Sequence, residues 1–157
     1  MTLGFSTKFT NGKETNFVGK IWSCLEEYHF PYLNEGSFFK ECRSRNLLNG
    51  RLHPKKHTIR KDSKNRWKKG NLIHMVIENR TKNRFQFAPI LKVTSIQEIK
   101  IIWKNGEKEV YIDDNFVGLF GIEKLALNDG FESVEDFFNW FSEDFTGKII
   151  HWAGVYY

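Results

Sequence analysis

Apolar residues recur at helical spacing near both ends of the chain and at strand-like spacing in its middle. A period of three or four residues is typical of a helix with one buried face, whereas alternation or a short continuous apolar run is typical of a strand. The Ser133-x-x-Asp136 capping box and the hairpin dipeptide Asn105-Gly106 mark two boundaries. The pattern predicts helices over residues 16–28, 38–45, 122–127 and 134–145, and strands over residues 3–9, 57–60, 72–78, 84–89, 90–96, 99–103, 109–112 and 148–157.

The order of these elements predicts an α+β fold. Short strands dominate the middle of the chain, and no repeat, low-complexity tract or linker divides it. We therefore predict a single domain over residues 1–157 that is built around a small, partly open β-barrel. Its core is expected in residues 51–157, and residues 1–50 are expected to be an N-terminal extension whose helices pack on that core.

Composition favours a chain with a large apolar core and reduced thiols. Aromatic residues make up 16% of the sequence, and each ring buries roughly 150–250 Å². The two cysteines, Cys24 and Cys42, do not form a disulfide framework. The first residues lack an apolar signal-peptide region, and no apolar run approaches the roughly 20 residues of a membrane span. A cytoplasmic protein is expected.

Positive charge is concentrated in one part of the chain, residues 51–70, here called the basic segment. It contains nine Lys or Arg and one Asp, a net charge of +8, whereas the other residues contain 15 Lys or Arg and 18 Asp or Glu, a net charge of −3. Such a local excess attracts polyanions, and a loop that only aids solubility is the alternative. The basic segment predicts a nucleic-acid-binding surface formed by Lys55, Lys56, Arg60, Arg66, Trp67 and Lys68.

Trp67 has two possible roles in this surface. Single-stranded RNA is commonly held by phosphate contacts and by stacking of its bases on aromatic rings. The flanking Arg66 and Lys68 suit that role. A tryptophan that anchors the loop to the barrel is the alternative.

A candidate catalytic pattern, Lys55-x-x-Thr58-x-Arg60, lies within the basic segment. A lysine near other cations loses basicity and is able to accept a proton at neutral pH, and a hydroxyl beside such a base is able to act as a nucleophile. Arg60 suits a phosphate or carbonyl oxygen. A basic loop in which Thr58 only hydrogen-bonds the backbone is the alternative. No metal and no cofactor are predicted, because the histidines lack suitable ligand partners and no glycine-rich phosphate loop occurs.

Residues 54–60, with the sequence P-K-K-H-T-I-R, resemble the signature of the ASCH domain, a branch of the PUA-like superfamily. Further segments resemble the family in the same order, and the resemblance covers about residues 51–157. It implies a PUA-like β-barrel with peripheral helices and a link to RNA. These further segments are residues 66–70, 87–96, 125–131, 137–141 and 147–152.

The resemblance also implies a chemistry. Some small bacterial ASCH proteins are amidohydrolases that remove an acyl group from N4 of cytidine, using a lysine, a threonine and a glutamate. The motif positions correspond to Lys55, Thr58 and Asp129, where aspartate stands in place of glutamate. In this hypothesis Lys55 activates Thr58 or a water, Asp129 holds the lysine or passes the proton to the leaving amine, and Arg60 or a backbone N–H stabilises the oxyanion. An Asp-Gly turn after a helix is the alternative for Asp129.

Three functions are therefore open from the sequence. The leading hypothesis is an ASCH-type, PUA-like domain that binds RNA or a nucleotide through a basic cleft. The second is an amidohydrolase acting on N4-acylated cytidine, or a ribonuclease, and the third is a protein-interaction module with exposed aromatic residues. The expected partner is RNA or a modified nucleoside, without a membrane, and the chain is expected to be a monomer.

Overall fold

A computed structural model of the chain describes residues 1–28, 36–48 and 52–157. Within these residues it has four helices and two sheets, which confirms the α+β class. The helices are α1 (Phe17–Glu27), α2 (Ser37–Ser44), α3 (Leu119–Asn128) and α4 (Val134–Trp140). The strands are β1 (Thr2–Phe5), β2 (His57–Arg60), β3 (Leu72–Ile77), β4 (Phe85–Gln86), β5 (Leu91–Lys92), β6 (Ser95–Lys104), β7 (Glu107–Ile112), β8 (Asn115–Phe116) and β9 (Phe145–His151).

The chain forms two compact units. The first combines Met1–Lys55 with Asn71–Lys92, and the second combines Lys56–Gly70 with Val93–Tyr157. The N-terminal helices α1 and α2 therefore share a unit with β3, β4 and β5. The single domain over residues 1–157, with a core in residues 51–157, stays a prediction. Among the described residues, no helix has the length and apolarity that crossing a bilayer requires; the cytoplasmic location also stays a prediction.

In the first unit β3 is the central strand. It pairs with β1 in parallel and with β4 and β5 in antiparallel orientation. Two side chains approach the carbonyl oxygen of Phe87: Nε1 of Trp22 on α1 donates to it at 3.0 Å, and Sγ of Cys42 on α2 lies 3.2 Å from it. This shared acceptor connects both helices to the residues after β4. The core contains Leu3, Phe5, Ile21, Leu25, Ile73, Met75 and Phe87.

In the second unit the strands form one antiparallel sheet in the order β2-β9-β6-β7-β8. The predicted Asn105-Gly106 hairpin is confirmed between β6 and β7, and the φ angles of 52° and 84° are those that a type I′ turn requires. The predicted Ser133 cap of α4 is also confirmed, since its hydroxyl accepts from the Asp136 N–H at 3.0 Å. The core contains Ile99, Ile101, Val110, Leu125, Phe131, Phe137 and Ile149.

The predicted helix over residues 134–145 was wrong beyond Trp140. Phe141 ends α4, and Phe145 begins β9, where it pairs with Ile101 of β6. The rings of Phe141 and Phe145 still pack 4.9 Å apart, so an apolar spacing that fits a helix is satisfied by a helix followed by a strand. The final strand is shorter than the predicted span over residues 148–157, because its pairing with β2 and β6 ends at His151.

The start of α1 lies within one residue of the predicted boundary. Asn16, with φ at 53°, is the N-cap, and Thr15 precedes it. The Thr15 hydroxyl donates to the Ser6 carbonyl at 2.7 Å and lies 3.4 Å from the Phe17 nitrogen. Thr15 therefore connects the helix entry to the chain after β1 rather than capping α1 directly.

Gly147 fixes the approach of β2 to β9, which gives a test of the second unit. A Cβ atom at this position would lie 2.5 Å from the Arg60 carbonyl oxygen and 2.6 Å from Cε1 of Phe145. Gly147→Ala is expected to lower the free energy of unfolding by about 2 kcal/mol, because the backbone has to shift. Urea unfolding measures the change. Gly154→Ala is the control, since nothing lies within 4 Å of the added Cβ; equal losses in the two variants would contradict the crowding.

Candidate functional site

Strand β2 places the motif residues on two faces of the second unit's sheet. Side chains alternate along a strand, so Thr58 and Arg60 share one face while His57 and Ile59 share the other. His57 and Thr58 are both buried, opposite His151 and Ile150 of β9. The signature therefore delivers a buried hydroxyl on one side of the strand and a buried imidazole on the other.

Asp129 is placed by the end of α3. It is the C-cap residue, and Gly130 after it has φ at 89°, a conformation that glycine adopts readily. The Gly130 N–H donates to the Leu127 carbonyl and the Phe131 N–H to the Ala126 carbonyl, both at 2.9 Å, which is the Schellman pattern. The Asp-Gly turn predicted from the sequence is thus present, and it directs a buried carboxylate into the unit.

His57 and Asp129 belong to a buried polar cluster, which also contains Asn128, His151 and Tyr157 and is here called the His57 cluster. Nδ1 of His57 lies 3.5 Å from Oδ1 of Asp129, and Nε2 lies 2.8 Å from the Tyr157 hydroxyl. Nδ2 of Asn128 donates to the same hydroxyl at 2.8 Å. The rings of His57 and His151 are 5.2 Å apart. Asp129 therefore ends a continuous series of polar contacts that starts at Asn128.

Gln97 fixes Tyr157 in this cluster. Its Nε2 donates to the Tyr157 carbonyl at 2.8 Å, and its Oε1 accepts from the Tyr157 N–H at 3.0 Å. Nε2 also donates to Oδ2 of Asp113 at 2.9 Å. The buried amide thus satisfies both backbone groups of Tyr157 and holds the phenol at a defined distance from His57.

Burial shifts the pKa values of Tyr157, Arg60 and His151. Burial raises the pKa of the Tyr157 hydroxyl above its usual range, despite the hydrogen bond from Asn128, so the phenol stays protonated. Burial lowers the pKa of the Arg60 guanidinium, and attraction to Asp129 partly offsets this effect. Burial lowers the pKa of His151 to about 3, with repulsion from His57 acting in the same direction. Arg60 still remains a cation at neutral pH.

The basic segment is anchored to the sheet by its single acid. Asp62 accepts from the Arg66 N–H at 3.0 Å and from the Trp67 N–H at 2.8 Å. Burial alone would raise the pKa of Asp62, but these hydrogen bonds and the nearby cations Lys148 and Arg66 outweigh it and hold that pKa below its usual value. Nζ of Lys148 on β9 lies 3.7 Å from Oδ2 of Asp62 and also donates to the Asn65 side chain. The loop therefore has a fixed course across β9.

The cations of the anchored loop face outward, whereas its tryptophan does not. The side chain of Trp67 is 5% exposed, so its ring has no open face for a nucleic-acid base. This burial favours the anchoring alternative over stacking. Lys56 and Arg60 are partly exposed, and the exposed cations of the loop are Lys61, Lys64, Arg66, Lys68 and Lys69.

Lys55 ends the N-terminal part of the first unit and is among its most deeply buried residues. Its backbone N–H donates to the Lys20 carbonyl of α1 at 2.9 Å. Its ammonium lies over the Phe17 ring, 4.6 Å from the centroid, and 6.0 Å from the centroid of Phe5. Aromatic faces attract a cation, so the first unit provides a specific environment for this lysine.

The structure thus adds several residues to the predicted set. Thr58, Arg60 and Asp129 all belong to the second unit, where Asp129 meets His57 and attracts Arg60. The additional residues are Gln97, Asn128, His151 and Tyr157. His57 had a signal in the sequence, since it stands between Lys55 and Thr58 in the motif. The others are separated from it by 40 to 100 positions and carry no local pattern.

An exposed apolar patch lies elsewhere in the second unit. Phe116 on β8 and Leu119 and Phe120 at the start of α3 are mostly exposed, and Phe120 reaches 86% exposure. Exposed aromatic residues were the basis of the protein-interaction hypothesis, and these three are its candidates.

Among the described residues, no group of three or more His, Cys, Asp or Glu side chains is arranged to hold a metal ion. Cys24 and Cys42 are buried and form no disulfide with each other. Comparison of the chain with protein-family models, with curated proteins and with solved structures gives no match. The relation to the ASCH family stays a prediction from the motif residues.

The buried His151 predicts a loss of stability in mild acid. Its pKa of about 3 in the folded chain is below the unfolded value of 6.5, so only the unfolded chain takes up this proton as the pH falls below about 6.5. Between pH 7 and pH 5.5 this linkage is expected to cost about 1 kcal/mol. Urea unfolding at both pH values measures it, and His151→Leu should reduce the difference. His74→Gln on β3 is the control; an unchanged pH dependence in His151→Leu would refute the assignment.

Proposed function

We propose that the chain is an ASCH-type, PUA-like domain that binds RNA or a nucleotide through the basic segment of its second unit. One observation carries the proposal. The five cations between residues 61 and 69 are exposed, while the single acid of the segment, Asp62, is occupied in anchoring the loop. The surface that remains available to a ligand is therefore strongly positive and held in place.

The order of elements supports the ASCH part of the proposal. The signature residues 54–60 lead into and form β2, residues 66–70 lead into β3, and residues 147–152 include most of β9. Residues 125–131 form the end of α3 and its glycine cap. These four segments therefore fall on the types of element that the resemblance implies, whereas residues 87–96 include only β5 and the first two residues of β6. The PUA-like β-barrel is part of this proposal.

Phosphate contacts are expected to dominate binding. Each phosphate neutralised on a single strand changes the slope of log affinity against log salt concentration by about −0.7. Stacking contributes roughly 1–3 kcal/mol per base where a ring is open, and Trp67 is buried. We therefore expect a steep salt dependence and little preference among bases.

The first functional test removes charge from the loop. The triple variant Lys64→Gln, Lys68→Gln and Lys69→Gln is expected to weaken binding of a fluorescent 12-nucleotide RNA by about tenfold or more at low salt and to reduce the magnitude of the salt slope by about 2, three phosphate contacts being lost. Fluorescence anisotropy at several salt concentrations measures both quantities.

A matched variant separates local from general charge. Lys40→Gln, Lys82→Gln and Lys92→Gln remove the same charge from exposed positions in the first unit. These substitutions should leave most of the affinity. Equal weakening in the two triple variants would show that the loop has no special role, and the absence of binding in the unmodified protein would remove RNA as the ligand.

An amidohydrolase acting on N4-acylated cytidine is the second candidate. The favouring observation is that the motif side chains of the second unit are buried, with exposures of 3% for Thr58 and 3% for Asp129. Buried polar groups cost free energy and are retained chiefly where they are hydrogen-bonded or functional. A surface that binds a polymer does not require buried polar side chains, whereas an enclosed reaction centre requires them.

The proposed reaction is hydrolysis of an amide. Thr58 or a water attacks the acyl carbon, the bond to N4 breaks, and water provides the atoms that give cytidine and a carboxylic acid. Asp129 passes to the leaving amine the proton that Thr58 or the water loses on attack, Arg60 stabilises the oxyanion, and Lys55 is the base that the motif predicts. The proximity of the Arg60 charge to Asp129 supports an ionised carboxylate before the proton is taken up.

Incubation with N4-acetylcytidine tests this candidate. Cytidine release is expected in the unmodified protein and is expected to fall at least about 100-fold in Lys55→Met and in Asp129→Asn, since general acid–base catalysis contributes about 10²–10⁴-fold. Chromatography of the nucleosides gives the rate. Thr58→Val separates two mechanisms: activity is lost if Thr58 is the nucleophile and is largely kept if water attacks. No release by the unmodified protein would exclude this substrate.

A further inference from the structure

We propose that His57 is the positioning residue for Asp129, presenting an Nδ1 proton to the carboxylate while the Tyr157 hydroxyl, which Asn128 holds, occupies its other nitrogen. The inference rests on the second candidate function, the amidohydrolase, in which Asp129 takes part in the reaction. It adds to that function a residue that the motif contains but that the Lys-Thr-acid pattern does not use.

The hydroxyl proton of Tyr157 determines whether Nε2 of His57 donates or accepts a hydrogen bond. The Tyr157 hydroxyl accepts from Nδ2 of Asn128 at 2.8 Å, so its own proton is free to point elsewhere. Two acceptors are within reach: Nε2 of His57 at 2.8 Å and the Lys124 carbonyl at 3.5 Å. The shorter contact is the stronger hydrogen bond. Nε2 of His57 is therefore an acceptor in the neutral ring.

The Asp129 carboxylate determines the protonation of the other ring nitrogen, Nδ1. Nδ1 of His57 faces Oδ1 of Asp129 at 3.5 Å, and both side chains are buried. If Nδ1 carried a lone pair, that lone pair would face an anion in a region where water does not screen the repulsion. A proton on Nδ1 converts the repulsion into attraction. Both arguments, one from each nitrogen, assign the neutral ring to the Nδ1-protonated tautomer.

The ring has little freedom to adopt another arrangement. Tyr157 is held by the two hydrogen bonds between its backbone and the Gln97 side chain. Its ring packs edge-on against the His57 ring, with centroids 5.5 Å apart. His57 is also part of β2 and pairs with His151 of β9. The direction of the Nδ1–H bond is therefore set by the sheet and by Tyr157.

This proton matters because Asp129 is in an unfavourable place for a carboxylate. It caps the C-terminal end of α3, where the helix dipole is negative and repels an anion. The Nδ1 proton of His57 and the charge of Arg60 offset that repulsion. Since a side chain displaced by about 1 Å can cost about 10²-fold in rate, an oriented contact also has value in fixing where the short aspartate lies.

Nuclear magnetic resonance tests the assignment without relying on activity. Protein with ¹⁵N-labelled histidine gives long-range ¹H–¹⁵N spectra that distinguish the two neutral tautomers, and the spectrum of His57→Asn identifies the His57 signals. We expect the Nδ1-protonated form in the unmodified protein and a shifted Nδ1 resonance in Asp129→Asn, because that substitution removes the charge that the Nδ1 proton faces. An Nε2-protonated ring, or a spectrum unchanged by Asp129→Asn, would overturn the proposal.

A pair of substitutions tests the positioning role in the reaction. The asparagine amide nitrogen lies near the position of Nδ1, and that of glutamine near the position of Nε2. His57→Asn is therefore expected to retain more cytidine release than His57→Gln, with the loss of about tenfold or more in His57→Gln appearing in kcat rather than in KM. His74→Asn on β3 is the control and should behave like the unmodified protein. Equal losses in the two His57 variants would indicate a structural role only and would contradict the proposal.

The two failures are distinguishable. If the unmodified protein releases no cytidine but shows the Nδ1-protonated ring and its response to Asp129→Asn, the amidohydrolase candidate fails and the contact stands. If cytidine is released and depends on Asp129 but the tautomer is the other one, the reaction stands and His57 is not the residue that positions Asp129.

Discussion

The second unit depends on the position of β9 between β2 and β6. This strand pairs with both neighbours over most of its length, and Gly147 allows the Arg60 backbone to approach where a Cβ would collide with it. The same pairing places His151 opposite His57 and Lys148 beside the anchored basic segment. One register thus positions both the buried His57 cluster and the exposed cationic loop, and a shift by one residue would exchange the two faces of the strand.

The His57 cluster shows how a small unit accommodates buried polar groups. Leaving a buried polar atom without a partner costs about 1–3 kcal/mol, so Gln97, Asn128 and Tyr157 act together rather than separately. Gln97 satisfies the backbone of Tyr157, whose hydroxyl connects Asn128 to His57. For His151, neither ring nitrogen has a hydrogen-bond partner among the residues that the structure describes, and Nδ1 of His57 faces Asp129 only at 3.5 Å. The burial of the His151 imidazole is the physical reason for the acid sensitivity that we expect, since the unfolded chain takes up the proton more readily.

The two proposed activities make different demands on the same strand. Binding of a polyanion uses the exposed lysines and arginine after β2, which need only be numerous and fixed in space. Hydrolysis uses buried groups whose orientation matters, and Asp129 with its His57 contact is the best-defined of them. The ion pair between Asp62 and Lys148 joins the loop to the sheet, because Asp62 belongs to the loop and Lys148 belongs to β9.

The sequence by itself determined the features that arise from neighbouring residues. The Asn105-Gly106 hairpin, the Ser133 cap, the glycine that ends α3 and the α+β class all come from local backbone preferences and side-chain periodicity. The concentration of cations was also visible, since charge can be counted. Only the tertiary structure decided that Trp67 is buried, that Phe145 belongs to a strand, and that Tyr157 and Gln97 surround His57. These outcomes depend on which strands pair and in which register, and the pairing energy comes from contacts between residues far apart in the chain, for which a single sequence carries no local signal.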